Sequence, residues 1–163
     1  MIFVALGANL PGPGGAPPRA TLAWAIGRLN ALPGLRLQAV SRFWDSAPVP
    51  PSDQPRYLNA VAAYAGAAVP GALLAALHAL EAEAGRQRGE RDAARTLDLD
   101  LLDLDGLVRG GAPVLPHPRL AGRGFVLRPL AEVAPGWRHP VTGVAIATLI
   151  AALPVNEDCH PLP

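Results

Sequence analysis

The sequence predicts an α+β fold in which an antiparallel sheet is flanked by helices. Three observations lead there. The apolar residues of the first two thirds switch repeatedly between a period of two and a period near 3.6. The switches fall at turns, for which the chain has 19 Pro and 17 Gly. The resulting order is strand, helix, strand, strand, helix, strand, the split β-α-β pattern of a ferredoxin-like sandwich.

Each element has a local reason. Ile2 to Leu6 is a short apolar strand with no basic leader ahead of it, so it reads as structure and not as a signal peptide. Arg19 to Leu32 carries Leu22, Ile26 and Leu29 at helical spacing. Leu35 to Trp44 alternates Leu35, Leu37 and Ala39 against Arg36 and Gln38 and reads as one strand. Tyr57 to Tyr64 is a further strand. Pro70 to Ala84 is a helix: Pro70 suits the first turn, Leu73, Leu77 and Leu80 form a stripe, and Gly85 follows the end. Thr96 to Leu104 is a strand. Short helices are expected over Phe125 to Val133 and Ala145 to Leu153. Beyond Leu153 the tail, with Cys159 and His160, reads as a frayed terminus without function.

Length and composition narrow the function. A chain of 163 residues is one domain's worth, with enough apolar sequence for a core that needs no disulfide. A net charge of +1 excludes a broad electrostatic nucleic-acid binder. All 14 basic residues are Arg, so Schiff-base and phosphate-loop lysine mechanisms are excluded. The single cysteine rules out an internal disulfide and fits a cytoplasmic protein. Ala60 to Leu80 lacks charge, but Pro70-Gly71 interrupts it; it reads as strand, turn and helix, not as a membrane span.

The strongest chemical signal is Arg95-Thr96-Leu97-Asp98-Leu99-Asp100. In a strand, Asp98 and Asp100 share a face while Leu97, Leu99 and Leu101 face the core. Two adjacent carboxylates repel each other unless a cation lies between them, and hard divalent cations such as Mg²⁺ take oxygen ligands. A solvated edge of polar residues is the alternative. Asp103 and Asp105 would fall on the opposite face of a straight strand and read as solvated or turn residues. Just upstream, Arg86, Arg88, Arg91 and Arg95 crowd one loop, and guanidinium forks match phosphate oxygens. That loop is expected to move without ligand and to order over Mg-nucleotide. Tyr57 and Asn59 offer a stacking ring and an amide edge. His117, between two prolines, sits close to Arg119 and Arg123, which suggests an anionic site.

Taken together, these motifs resemble the 6-hydroxymethyl-7,8-dihydropterin pyrophosphokinase family of folate biosynthesis. The resemblance rests on Ala5 to Leu10, Asp53-Gln54-Pro55 through Asn59, Leu80-Glu81 through Arg86, Arg95 to Asp100, and Leu115-Pro116-His117-Pro118-Arg119 through Phe125. It implies one pyrophosphokinase domain over residues 1–163. That domain would move the terminal diphosphate of ATP onto the pterin hydroxymethyl group and release AMP. It implies that Asp98 and Asp100 hold two Mg²⁺ ions and that Arg86 and Arg95 grip the phosphates. Arg88 and Arg91 would cover the loop side. His78, Glu81, His117 and Arg123 would contact the nucleotide. Tyr57, Asn59 and Phe125 would form the pterin slot, with Ser46, Ala47 and Val49 on its wall. The partners would be small molecules, with no nucleic acid and no membrane.

The sequence departs from the family pattern between Arg91 and Arg95. Asp92-Ala93-Ala94 stands where Trp-Gly-Pro is usual. The departure bears on loop closure and pterin affinity but not on the two carboxylates. It is also the feature that would favour a non-catalytic pterin- or nucleotide-binding module on the same fold.

Overall fold

The computed structural model describes residues 1–87, 89 and 91–163; Arg88 and Glu90, inside the arginine loop, lie outside the described residues. The first strand, β1 (Ile2–Ala8), is buried along its whole length. It lies between two antiparallel neighbours that appear much later in the chain, β4 (Tyr57–Gly66) and β5 (Asp98–Leu104). On the far side of β4, its C-terminal part pairs with β2 (Leu35–Val40) and its start pairs with β3 (Trp44–Ser46). Last comes β6 (Cys159–Pro161), paired with β3. The path is β5-β1-β4-β3-β6, with every pairing antiparallel.

The helices α1 (Pro18–Asn30) and α2 (Pro70–Glu83) cover one face of the sheet. Proline opens both, where its fixed φ fits and its missing N–H costs nothing. Leu22, Ile26 and Leu29 of α1 and Leu73, Leu77 and Leu80 of α2 pack on Ile2, Val4, Leu6, Leu99 and Leu101. On the other face, α3 (Gly124–Val133) and α4 (Ile146–Ala151) pack Val126, Leu127, Leu130 and Ile146 against Phe3, Ala5, Val61 and Leu102. The result is the α+β sandwich that the order of elements predicts. Among the described residues no helix is long and apolar enough to cross a membrane.

Three expectations are corrected. The strand expected over Leu35 to Trp44 is broken in two. Ser41 still exchanges bonds with Val61, but the Arg42 N–H turns away to Glu132 Oε2 at 2.8 Å, which takes the chain off the sheet. Asp103 is not solvated. The β1–β5 register shifts at Phe3/Val4 and leaves Leu102 as an extra residue. That bulge turns Asp103 to the face of Asp98 and Asp100. There it is 4% exposed and accepts hydrogen bonds from Trp137 Nε1 and the Gly106 N–H, both at 2.8 Å. Asp105, as expected, sits in an exposed turn with Gly106. Finally, the tail beyond Leu153 is not frayed. Cys159 is buried, Ser46 faces Cys159 across the β3–β6 pair, and the guanidinium of Arg56 forks onto Asp158 at 2.7 and 2.8 Å.

Candidate active site

The carboxylates of Asp98 and Asp100 come from the start of β5. There β1 offers only Gly7 and Ala5 opposite them, so that face stays open. Their backbone neighbour Leu99 points the other way into the core and donates its N–H to Glu81 Oε1 at 2.7 Å. Glu81 reaches that point from the last turn of α2. The same turn sets Arg86: its N–H bonds back to the Glu81 carbonyl and the Gly85 N–H to the Ala82 carbonyl, with Gly85 at a φ of 80°. This is a Schellman ending, which needs the left-handed φ that glycine adopts freely. It folds the Arg86 side chain back over the helix end, where its guanidinium pairs with Glu81 and lies 3.2 Å from Asp98 Oδ1.

Each carboxylate has its own cations. Arg95 Nη1 bonds Asp98 Oδ1 at 2.6 Å. His117 Nε2 lies 3.6 Å from Asp100 Oδ1, and Arg123 Nη1 lies 4.0 Å from Asp100 Oδ2. The His117 Nδ1 accepts the Arg119 N–H at 3.2 Å, which puts the ring proton on Nε2, toward Asp100. The His117 backbone is anchored to β5 by its N–H bond to Leu102 O at 2.9 Å. The electrostatic outcome differs between the two aspartates. Burial, helped by the neighbouring Asp100 charge, pushes the Asp98 carboxyl up. Burial acts on Asp100 too, but the His117 imidazole and then Arg123 outweigh it and hold that carboxyl below its usual range. Burial also pushes Glu81 up to about 7 despite its bonds from Leu99 and Arg86.

Two clefts meet at these carboxylates. One is walled by Ser46, Ala47 and Val49 on one side and by Tyr57 and Asn59 on another, with Phe125 and Arg123 from the start of α3. Asn59 Nδ2 donates to Ser46 Oγ at 2.8 Å, which fixes its amide. The second cleft is lined by His78, Glu81, Arg86 and His117 with the apolar Leu74, Leu101 and Val114. Arg95, Asp98 and Asp100 line both clefts. The structure thus brings together all the residues singled out in the sequence except two. Arg91 is exposed and does not appear among the described residues lining these clefts, and Arg88 lies outside the described residues.

Sequence reasoning missed how the segment after Arg91 is held. Asn9 Oδ1 accepts the Arg95 N–H at 2.8 Å, and Asn9 Nδ2 donates to Gln54 Oε1 at 3.1 Å. Gln54 Nε2 in turn donates to Asp92 O at 2.8 Å, while the Tyr57 hydroxyl donates to Ala93 O at 3.1 Å. Asp92 takes a left-handed φ of 60°, which Asp tolerates better than most residues, and its carboxylate lies 3.5 Å from Arg119 Nη1. Gln54 and Tyr57 therefore grip the main chain of Asp92 and Ala93, and Asn9 that of Arg95, whatever side chains stand there. The only signal in the sequence was the presence of Asn9 and Gln54 in the motifs of the resemblance, without a role of their own.

The donor set suits a hard divalent cation. Asp98 and Asp100 supply carboxylate oxygens on one open face, and among the described residues no group of three or more His, Cys, Asp or Glu forms a closed metal cage. Two carboxylates with room for water and phosphate oxygens are the usual protein share of a magnesium site.

Comparison with known proteins identifies the family. The family model described as 7,8-dihydro-6-hydroxymethylpterin-pyrophosphokinase matches residues 3–135. The chain is 44% identical over 155 residues to the 2-amino-4-hydroxy-6-hydroxymethyldihydropteridine pyrophosphokinase of Pseudomonas aeruginosa, covering 94% of this chain and 91% of that one. It is 36% identical over 148 residues to the protein of that name from Synechocystis, covering 90% and 73%. The one from Haemophilus influenzae is 37% identical over 133 residues, covering 81% and 80%. With that much of its length matched, the chain belongs to the 7,8-dihydro-6-hydroxymethylpterin-pyrophosphokinase family and is a pyrophosphokinase of folate biosynthesis.

Proposed function

We propose that the two clefts hold the two substrates, 6-hydroxymethyl-7,8-dihydropterin and ATP, and that diphosphate passes between them at Asp98 and Asp100. The observation that carries the reading is the sharing of Arg95, Asp98 and Asp100 by both clefts. A group transferred from one substrate to the other must cross a surface common to both sites, and this is that surface.

In this reading the pterin ring lies between Tyr57 and Phe125, with Asn59 at its edge and Ser46, Ala47 and Val49 as the wall. ATP lies along His78, Glu81, Arg86, His117 and Arg123, with Arg88 and Arg91 on the loop side. Asp98 and Asp100 hold two Mg²⁺ ions. When bound, those ions offset charge on the phosphates. The hydroxymethyl oxygen attacks the β-phosphorus and its proton passes to a phosphate oxygen. The bond from that phosphorus to the oxygen bridging it to the α-phosphate breaks, and AMP leaves. Arg86 and Arg95 stand at the reaction centre, where their guanidinium groups stabilise charge on the transferring group. Both begin paired with carboxylates and must exchange those partners for phosphate oxygens. The walls of the first cleft hold the alcohol in line with the scissile bond. The enzyme is read as one domain over residues 1–163, cytoplasmic, acting on small molecules and not on nucleic acid or a membrane.

The test is to mix the protein with MgATP, with and without the pterin, and to resolve AMP from ADP. AMP formed only with pterin is the expected result. ADP would mean a different phosphotransferase, and ATP binding with no AMP would mean a binding module.

A further inference from the structure

The tail beyond Leu153 lies outside the residues matched by the family model, yet it touches three walls of the first cleft. Glu157 Oε1 accepts the Gly124 N–H at 2.9 Å at the first residue of α3, and its other oxygen lies 3.4 Å from Arg128 Nη2 on the next turn. The Glu157 side chain is 16% exposed. A carboxylate here satisfies one of the free N–H groups that begin a helix and complements the helix dipole. Gly124 is adapted to it, because a Cβ at that position would sit 1.7 Å from Glu157 Oε2. The residues either side of Gly124 are Arg123 and Phe125, both lining the cleft. One residue further along the tail, Asp158 O accepts the Ala47 N–H at 3.1 Å on the opposite wall, and its carboxylate takes the Arg56 fork next to Tyr57.

We propose that Glu157 is a positioning residue for the transfer reaction, setting the start of α3, and with it Phe125, against the wall at Ala47. Asp158 is its counterpart on that wall. Within two residues the tail ties α3 to the loop after β3 and so fixes the width of the slot between Phe125 and Ala47. This inference rests on the reading of that slot as the pterin site. The nucleotide side depends on it less, because only Arg123 among its contacts adjoins Gly124, while His78, Glu81, Arg86, Arg95 and His117 stand on other elements.

The experiment compares Glu157→Ala, Glu157→Gln and Phe125→Ala in the full chain, with KM for pterin and for MgATP measured separately. For Glu157→Ala the expected result is a pterin KM raised about tenfold, the equivalent of one charge-assisted hydrogen bond, with the MgATP KM within about threefold. Glu157→Gln keeps an acceptor for Gly124 and should restore most of the pterin KM. Gly124→Ala leaves every tail side chain in place but displaces the Glu157 carboxylate. It should reproduce the Glu157→Ala split and serves if that variant does not fold. A fall in kcat with both KM values unchanged would show a loss of folded protein only and would overturn the inference. So would an unchanged pterin KM in Glu157→Ala when Phe125→Ala raises it. An unchanged pterin KM in Phe125→Ala would instead overturn the reading of the slot, and this inference with it.

Discussion

At its start, β5 presents Asp98 and Asp100 to a cleft, among guanidinium groups and an imidazole. Three residues further on, the same strand buries Asp103 against an indole and a backbone amide. All three carboxylates face the same side of the sheet. What separates them is the kind of partner. Asp98 and Asp100 are met by cations that a ligand can draw away, and they border open space. Asp103 is met by neutral donors in a packed layer beneath α3 and α4, and nothing can reach it. A carboxylate with mobile charged partners at a cavity is poised for exchange, whereas one with fixed neutral partners is a fastener.

The largest expected effect falls at the cleft end. Asp98→Ala and Asp100→Ala should each lower the rate of pterin-dependent AMP formation by more than about a hundredfold if, as proposed, they hold the metal ions. Stability should hold in Asp98→Ala, where burial and the Asp100 charge disfavour the carboxylate, and fall slightly in Asp100→Ala, whose carboxylate His117 and Arg123 favour; thermal melts without ligand check this. A Tm fall matching that of a core deletion would make these residues structural and erase the contrast. At the packed end, Asp103→Ala leaves Trp137 Nε1 and the Gly106 N–H without acceptors. It should cost about 1–3 kcal/mol in urea unfolding, with kcat of the folded fraction unchanged. Catalytic loss without stability loss would reverse its assignment.

A smaller effect should come from Glu81, which braces Leu99 between the two catalytic candidates. Its carboxyl is pushed from 4.5 up to about 7 by burial, so the native state binds more protons than the unfolded state between those pH values. Stability of the ligand-free protein should therefore fall as pH rises from 4.5 to 7, by at most about 3 kcal/mol from this group. In Glu81→Gln that fall should shrink to the part that comes from Asp98, whose carboxyl is also pushed up, and an unchanged slope would place its source elsewhere. Smallest of all, Asp105→Asn in the exposed turn should stay within about 0.5 kcal/mol of the parent by the same urea titration.

How much of this was legible depended on how far the deciding partner lay along the chain. The helices and strands were legible because their periods are local, and Pro70 and Gly85 punctuate α2 within its own sequence. The convergence of Tyr57, Asn59, Asp98, Asp100 and His117 was legible through a motif resemblance. The bulge at Leu102 was not, because it is a property of register against β1, which period alone does not carry. The break after Ser41 depends on Glu132, and the fate of the tail depends on Arg56 and Gly124. These partners are 90, 102 and 33 residues away in sequence. Asn9 and Gln54 grip main-chain atoms, which leave no trace in the side chains they hold.

The pairing of Asp98 and Asp100 with Arg86, Arg95, His117 and Arg123 makes the resting site an internal salt. In the proposed reading, nucleotide and cation would enter by double displacement: phosphate would take the arginines and the cation the aspartates, each vacating what the other needs. Neither alone completes the trade, so their affinities should be mutually dependent. Because the arginines begin neutralised by the protein itself and not by a cloud of solution anions, few small ions are released on binding. Nucleotide affinity should therefore change far less with ionic strength than the number of arginines suggests.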